Sequence, residues 1–218
     1  MPPEYSGKSS TNSVAMPGQN VFIDWSPCGK YLITSSKDDH LTLIDASTHK
    51  VVQSVKFENE LNEPRFTPLS THVILTTNNG QIRLFTVPDL QPVFAIQSQP
   101  GNCYCSDLDP LGETLVVGST DSIVSFWDVK EWCCKANGGD IKSAVRSLSW
   151  SYDSKFVAAG SEERYISIID GFSHEQVAKV ETSGTQNCVR WHPSKYLLAF
   201  SCEIPGDHVG AGSVRLWT

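Results

Sequence analysis

The segment DLDPLGETLVVGSTDSIVSFWD, residues 107–128, is one of five related segments in this chain. The others are DWSPCGKYLITSSKDDHLTLID (24–45), PRFTPLSTHVILTTNNGQIRLFT (64–86), LSWSYDSKFVAAGSEERYISIID (148–170) and VRWHPSKYLLAFSCEIPGDHVGAGSVRLWT (189–218). A turn position near the start of each copy recurs at intervals of 41, 42, 42 and 41 residues: Pro27, Pro68, Pro110, Tyr152 and Pro193. A constant period of this size indicates a repeat architecture.

A second position keeps register at the end of each copy, at Asp45, Thr86, Asp128, Asp170 and Thr218. It lies 18 residues after the first position in four copies and 25 residues after it in the fifth. The fifth copy therefore carries an insertion, within EIPGDHVGAG (203–212). Two positions held in register are much harder to obtain by chance than a single dipeptide match.

Apolar runs separated by turn residues predict four short strands in each unit. The second strands, YLIT, HVIL, TLVV, FVAA and YLLAF, are almost continuously apolar, so both of their faces must be covered. Blades stacked around an axis cover inner strands in this way. The sequence therefore predicts an all-β, WD40-type β-propeller with five repeats, of which four are complete blades and the fifth has three strands.

The expected domain organisation follows from the same register. Residues 1–19, rich in Ser, Gly, Pro and Asn, are expected to be a flexible N-terminal segment. Residues 20–218 are expected to hold the repeats, divided at about 20–60, 61–100, 101–142, 143–183 and 184–218.

Composition excludes several classes of protein. The formal charge is −7, from 17 basic and 24 acidic residues, and no run of five Lys or Arg occurs, which argues against direct binding of nucleic acid. Seven cysteines without a C-x-x-C pair favour a reducing compartment. Neither a signal peptide nor an apolar run of about 18 residues is present, so we expect a soluble intracellular protein without membrane contact.

Residues that repeat with the period are interpreted as structural markers. Trp127 and Asp128 form the one intact Trp-Asp pair, in which the ring fills the space between blades and the carboxylate caps the strand end. Asp38 and Asp121 precede the hydrophobic position by six residues and fix tight turns. Trp217 is the fifth copy's counterpart of Trp127. One carboxylate in each blade does not make the close pair that acid/base hydrolysis needs.

No motif for a cofactor, a metal or catalysis is present. The six histidines lack ligand-like spacing, and there is no G-x-S-x-G, Walker or G-x-G-x-x-G sequence. We therefore expect no enzyme activity, no cofactor, no metal and no small-molecule substrate.

The insertion in the fifth copy is the feature that regular blade geometry does not require. Glu203, Asp207 and His208 lie in this Gly-rich connection and are candidates for contacting a partner. A tolerated loop insertion is the alternative, and it is slightly favoured.

The order and the amino-acid sequences of the repeats resemble those of the THO complex subunit 3 family, WD40 proteins of the transcription-export (TREX) assembly. The resemblance covers about residues 20–218 and is carried by residues 25–50, 102–129 and 191–217. It implies a non-catalytic nuclear scaffold that docks on other THO complex subunits, couples transcription and splicing to mRNA packaging and export, and contacts RNA only indirectly. Another WD40 adaptor, such as a ubiquitin-ligase substrate receptor or a chromatin reader, remains the alternative.

The chain departs from that family's pattern in two ways, and these limit which family features can be expected here. No Gly-His dipeptide precedes a first strand, so the family's His-Ser-Asp-Trp hydrogen-bond network cannot be complete, although Asp121 and Trp127 preserve two members. The family's propeller would have seven blades, so the five repeats are expected to form part of one, as an open arc with bare flanks on the first and last blades. A strained five-blade ring is the alternative.

Overall fold

The computed structural model describes residues 13–16, 18–203 and 212–218. Within them the chain forms five antiparallel sheets and no helix. The first blade is β1 (Asn20–Trp25), β2 (Tyr31–Ser36), β3 (His40–Asp45) and β4 (Lys50–Lys56). The second blade is β5 (Leu61–Phe66), β6 (His72–Thr77), β7 (Gln81–Thr86) and β8 (Pro92–Gln97). The third blade is β9 (Cys103–Leu108), β10 (Thr114–Ser119), β11 (Val124–Asp128) and β12 (Cys133–Gly138). The fourth blade is β13 (Val145–Trp150), β14 (Phe156–Ser161), β15 (Tyr165–Asp170) and β16 (Gln176–Glu181). The fifth blade is β17 (Gln186–Trp191), β18 (Leu198–Glu203) and β19 (Gly212–Trp217).

This arrangement confirms the predicted fold class, with four four-stranded blades and three strands of a fifth. Strands within each blade pair in chain order, and the first strand of each blade contacts the first strand of the next. The strands β1, β5, β9, β13 and β17 are therefore the inner strands. Among the described residues, no strand of the first blade makes an extensive contact with a strand of the fifth, so the blades follow an arc.

The second strands are deeply buried, because each lies between two other strands of its sheet and packs against at least one neighbouring blade. Ile33 in β2, Leu75 in β6 and Val116 in β10 are fully buried. The fourth strands alternate between exposed and half-buried positions, as in β4 and β8. Burial of each large aliphatic side chain contributes about 1.5–3 kcal/mol, so the second strands supply much of the core's stability.

A side-chain acceptor closes the turn between the first and second strands in four blades. In each case the residue just before the repeated turn position accepts the backbone N–H that begins the second strand. The bonds are Tyr31 N–Ser26 Oγ at 2.8 Å, His72 N–Thr67 Oγ1 at 3.2 Å, Thr114 N–Asp109 Oδ1 at 2.7 Å and Phe156 N–Ser151 Oγ at 2.9 Å. The turn position thus recurs because the residue before it supplies a hydroxyl or carboxylate that closes the turn.

The turn between the third and fourth strands ends on a residue with left-handed backbone geometry. These residues are His49, Leu90, Trp132 and His174, with φ of 55°, 50°, 51° and 62°. In three of these turns the preceding Asp45, Asp128 or Asp170 accepts two backbone N–H groups through Oδ1. The turns therefore share a left-handed backbone position at the same place in the first four blades.

The two outermost blade faces differ from the faces between blades. Trp25 is 57% exposed, whereas the equivalent Phe66, Trp150 and Trp191 are buried against the blade before them. Leu216 on β19 is 67% exposed, although its equivalents in the other blades are buried. The described structure thus leaves an apolar face bare at each end of the arc.

Candidate interaction surface

Trp127 lies in the interface between the second and third blades. Its ring packs with Leu84, and its Nε1 donates to Ser125 Oγ at 2.8 Å. The same hydroxyl oxygen accepts from Nε2 of the buried Gln99 at 2.6 Å. Gln99 lies in the connection between the second and third blades, just before β9. It therefore joins Trp127 to this connection in a chain that contains no Gly-His dipeptide.

The two predicted turn aspartates have different surroundings. Asp121 accepts from Ser119 Oγ at 2.5 Å and from the backbone N–H of Gly101 and Ile123 at 3.3 Å. Asp38 is exposed, and its backbone oxygen lies 2.9 Å from His40 Nδ1. Asp121 therefore braces a turn through its carboxylate, whereas the bond at Asp38 is a backbone one.

The remaining markers lie at strand ends. Asp128 accepts the backbone N–H groups of Lys130 and Glu131, each at 2.9 Å, and these bonds hold its pKa below the usual range. Trp217 is 36% exposed, and its ring centroid lies 6.2 Å from that of Trp191. Asp128 and Trp217 make these contacts within their own blades, whereas Trp127 packs against the preceding blade. The markers therefore form no shared site.

The structure describes the insertion only at its two ends, Glu203 and Gly212, which pair with each other. Glu203 ends β18, is exposed, and its backbone oxygen accepts from Ser183 Oγ at 3.2 Å. Asp207 and His208 lie outside the described residues. The insertion therefore leaves the fold at the end of the propeller where second and third strands are joined.

An ionic cluster on the inner strands joins several blades. We call this set the inner-strand cluster: Asp24, Glu63, Arg65, Asp107 and Arg190. Arg65 Nη2 lies 2.5 Å from Glu63 Oε1, and Arg65 Nη1 lies 3.7 Å from Asp24 Oδ1. Arg190 Nη2 reaches the same Glu63 Oε1 at 3.4 Å. The cluster links the first, second and fifth blades directly.

The carboxylates of this cluster also accept backbone N–H groups from the next blade. The bonds are Phe66 N–Asp24 Oδ2 at 3.0 Å, Ser106 N–Glu63 Oε2 at 3.0 Å and Trp150 N–Asp107 Oδ2 at 2.8 Å. Each acid therefore holds two adjacent blades together.

Burial and the neighbouring opposite charges shift the pKa values of the cluster in opposite directions. Burial raises the pKa of Asp107, against the guanidinium groups of Arg65 and Arg190. Burial also raises the pKa of Asp24, against Arg65. Burial alone would lower the pKa of Arg65, but Glu63, Asp107 and Asp24 outweigh it and the pKa is raised. Arg65 thus stays charged and neutralises its neighbours.

The two ends of the propeller carry different side chains. The acidic rim lies at the end where second and third strands are joined and holds exposed carboxylates: Asp38, Glu58, Glu60, Asp140 and Glu162. The exposed cations Lys37, Lys142 and Arg164 lie at the same end. The apolar rim lies at the opposite end and holds exposed apolar or aromatic residues: Leu69, Leu111, Tyr152, Phe172 and Tyr196. Aromatic side chains at a protein surface are enriched at protein interfaces, which favours the apolar rim as a contact surface.

Residues 13–16, 18–203 and 212–218 contain no group of three or more His, Cys, Asp or Glu side chains placed to hold a metal ion. Over the same residues, no helix has the length and apolar character needed to span a bilayer.

Comparison with known families identifies the repeat. A model of the WD40 family (WD domain, G-beta repeat) matches residues 8–45, 91–128 and 133–170, about half of the chain. Each match ends at the last residue of a third strand, and that residue is Asp45, Asp128 or Asp170. The two copies with threonine at this position are outside the matches.

Curated relatives are similar to the chain over much of its length. The chain is 31% identical over 196 residues to THO complex subunit 3 of Arabidopsis thaliana, covering 90% of this chain and 62% of the relative. It is 32% identical over 204 residues to WD repeat-containing protein AAC3 of Dictyostelium discoideum, covering 91% of this chain and 41% of the relative. It is also 27% identical over 144 residues to the probable U3 small nucleolar RNA-associated protein 18 of Schizosaccharomyces pombe, covering 62% of this chain and 27% of the relative.

The chain thus spans 62% and 41% of the length of the first two relatives. Its repeats, its five blades and the family match agree. The chain belongs to the WD40 family, whose β-propellers generally serve as non-catalytic scaffolds for protein–protein interaction.

Proposed function

We propose that the chain is a scaffold subunit of a nuclear assembly of the THO and TREX type, which couples transcription and splicing to mRNA packaging and export. The observation that carries the proposal is the 31% identity to THO complex subunit 3 of Arabidopsis thaliana, which extends over 90% of this chain. The nuclear location is supported by that relative and by the similarity to a small nucleolar RNA-associated protein.

Its partners in this proposal are other THO complex subunits, and it contacts RNA only through them. The formal charge of −7 and the carboxylates of the acidic rim disfavour direct contact with phosphates. Neither a membrane nor a small-molecule substrate enters the proposal.

The proposal also assigns no catalytic step to the chain. Asp24, Glu63 and Asp107 are the buried or half-buried carboxylates of the inner strands, and each accepts a backbone N–H from the adjacent blade. These bonds give the acids a role in holding blades together. Glu63→Gln is accordingly expected to change stability instead of any turnover.

A partner contact at the insertion is part of the proposal. Glu203 places the start of the insertion at the acidic rim, and loops on a rigid scaffold commonly carry binding residues. Replacing residues 204–211 with a short Gly-Ser turn should weaken recovery of one partner and leave the fold intact. Equal recovery of all partners would assign the insertion no binding role.

Affinity purification of the tagged chain from nuclear extract, with and without ribonuclease, tests the proposal. Recovery of THO subunits in both conditions is expected, since the contacts are between proteins. The alternative function is a generic WD40 adaptor, favoured by the 32% identity to a WD repeat-containing protein. Recovery of ubiquitin-ligase or histone partners without THO subunits would support that alternative and contradict the proposal.

A further inference from the structure

An apolar groove lies on the outer side of the propeller between the first and second blades. Its volume is about 510 Å³, within the range of about 300–1,000 Å³ that is usual for ligand pockets. The lining is apolar except for one arginine: Val55, Phe57, Arg83, Phe85, Leu90, Pro92, Val93, Phe94 and Ala95. We call this the outer groove.

The outer groove is open because of the side chain that its turn presents. Leu90 ends the turn between the third and fourth strands of the second blade, with φ of 50°. One blade further on, Trp132 ends the equivalent turn with φ of 51°, and its ring lies 4.6 Å from Phe94, centroid to centroid. The larger ring packs into the space between the second and third blades, whereas leucine leaves the corresponding space between the first and second blades unfilled.

The charge in the lining of the outer groove is positive. Arg83 is the only ionisable residue in the lining, and its Nε and Nη2 donate to Gln81 Oε1 at 3.0 and 2.9 Å. Its guanidinium carbon lies 5.8 Å from the Phe57 ring centroid. Within the described residues Arg83 makes no ion pair with a carboxylate. A positive charge beside an apolar cavity complements an occupant that joins a large apolar group to a carboxylate.

We infer that the outer groove binds a segment of a partner protein in which an aromatic side chain lies next to Asp or Glu. The ring takes the place that Trp132 takes one blade further on, and the carboxylate pairs with Arg83. The inference rests on the proposed scaffold function, since a scaffold presents grooves to partner segments, but it does not depend on which assembly the partner belongs to.

The test uses the purified chain and the fluorescein-labelled peptide acetyl-Gly-Glu-Trp-Glu-Gly in an anisotropy titration. Saturable binding is expected, and it should be lost when the tryptophan of the peptide is replaced by alanine or its glutamates by lysines. Arg83→Gln should weaken binding about tenfold, because it removes the positive charge that pairs with the carboxylates of the peptide. Leu90→Trp should abolish binding by filling the groove, and Trp132 shows that tryptophan fits this turn geometry.

Two further variants keep the test decisive. Leu69→Ser changes an exposed residue of the apolar rim outside the groove and should leave binding unchanged. Val93→Asp changes a half-exposed residue of the groove wall and should weaken binding by repelling the peptide, even if Leu90→Trp fails to fold. Absence of saturable binding, or equal losses from Leu69→Ser and Arg83→Gln, would overturn the inference.

Other occupants give different results. Equally tight binding of laurate would identify a small-molecule site, and a dimer that Leu90→Trp dissociates would identify a second copy of the chain. Either result would overturn the inference. Peptide binding without recovery of THO subunits from nuclear extract would support the groove as a binding site and contradict only the proposed function. Recovery of THO subunits without peptide binding would support the proposed function and contradict only the inference about the groove.

Discussion

Arg190 of the fifth blade and Glu63 of the second blade lie 3.4 Å apart, from Nη2 to Oε1, although 127 residues separate them in the chain. Arg190 also donates through Nη1 to the backbone oxygen of Leu148 at 2.7 Å. One side chain therefore connects the fifth blade with both the fourth and the second. This contact between non-adjacent blades helps to set the curvature of the arc.

Removing the carboxylate of Glu63 should destabilise the fold more than removing the guanidinium of Arg190. Glu63→Gln leaves Arg65 with a weaker partner in a largely buried position and should lower the free energy of unfolding by about 1–3 kcal/mol. Arg190 is less buried, so Arg190→Ala should cost less than about 1 kcal/mol. Urea unfolding measures both values. A larger loss for Arg190→Ala would contradict the central role of Glu63.

Trp127 should contribute far more to stability than its counterpart in the fifth blade. Trp127→Ala removes a buried ring and should cost about 3–5 kcal/mol. Trp127→Phe keeps most of the packing and loses a hydrogen bond worth about 0.5–1.5 kcal/mol. Trp217→Ala is the matched control, with a smaller expected loss because Trp217 is partly exposed. Equal unfolding free energies for the two alanine variants would show that the repeat position alone sets the effect.

Acid should weaken the first blade through Asp45. Hydrogen bonds from the Ser47 hydroxyl and the Thr48 backbone lower the pKa of Asp45 from 3.8 to about 2. The folded state therefore binds this proton less readily than the unfolded state, so the stabilising contribution is present above pH 3.8 and is lost as the pH falls towards 2. Asp45→Asn should flatten the stability change over this pH interval.

Ser47→Ala provides the control for that measurement, because it removes the hydroxyl donor and keeps the backbone N–H of Thr48. Urea midpoints between pH 2 and 4 should then show a pH dependence between those of the wild type and Asp45→Asn. An unchanged pH dependence in Asp45→Asn would show that other carboxyl groups carry the acid response.

The bare faces at the two ends of the arc should make the purified chain associate. Trp25 and Ile23 are exposed on β1, and Val214 and Leu216 are exposed on β19, at positions that are buried between neighbouring blades elsewhere. Exposed apolar patches of this kind drive association. Trp25→Ser combined with Leu216→Ser should shift the chain towards monomer in size-exclusion chromatography with light scattering. A monodisperse wild-type monomer would contradict this prediction.

The blades could be predicted from the sequence because two positions repeat in every copy. The turn residue at Pro110 and the strand end at Asp128 lie 18 residues apart, a distance kept in four of the five copies, and strand burial follows from the apolar runs between them. Hydrogen bonds at Asp109 and Asp128 explain why those positions recur.

The inner-strand cluster is hidden in the sequence, because its residue type changes from blade to blade. One aligned position carries Asp24, Arg65, Asp107, Ser149 and Arg190. Opposite charges at equivalent positions of different blades were the available signal, since inner strands converge on one axis. The outer groove depends on comparing Leu90 with Trp132, and that comparison acquires meaning only when both turns are seen to face a neighbouring blade.

The proposed scaffold function requires that this WD40 chain docks directly on THO-type subunits. Size-exclusion chromatography of the purified chain mixed with purified THO subunits, free of nucleic acid and at about 150 mM salt where charge screening is physiological, tests it most directly. We expect stoichiometric coelution that is unchanged by ribonuclease treatment. Separate elution of a folded chain, shown by circular dichroism to retain its β structure, would contradict the claim.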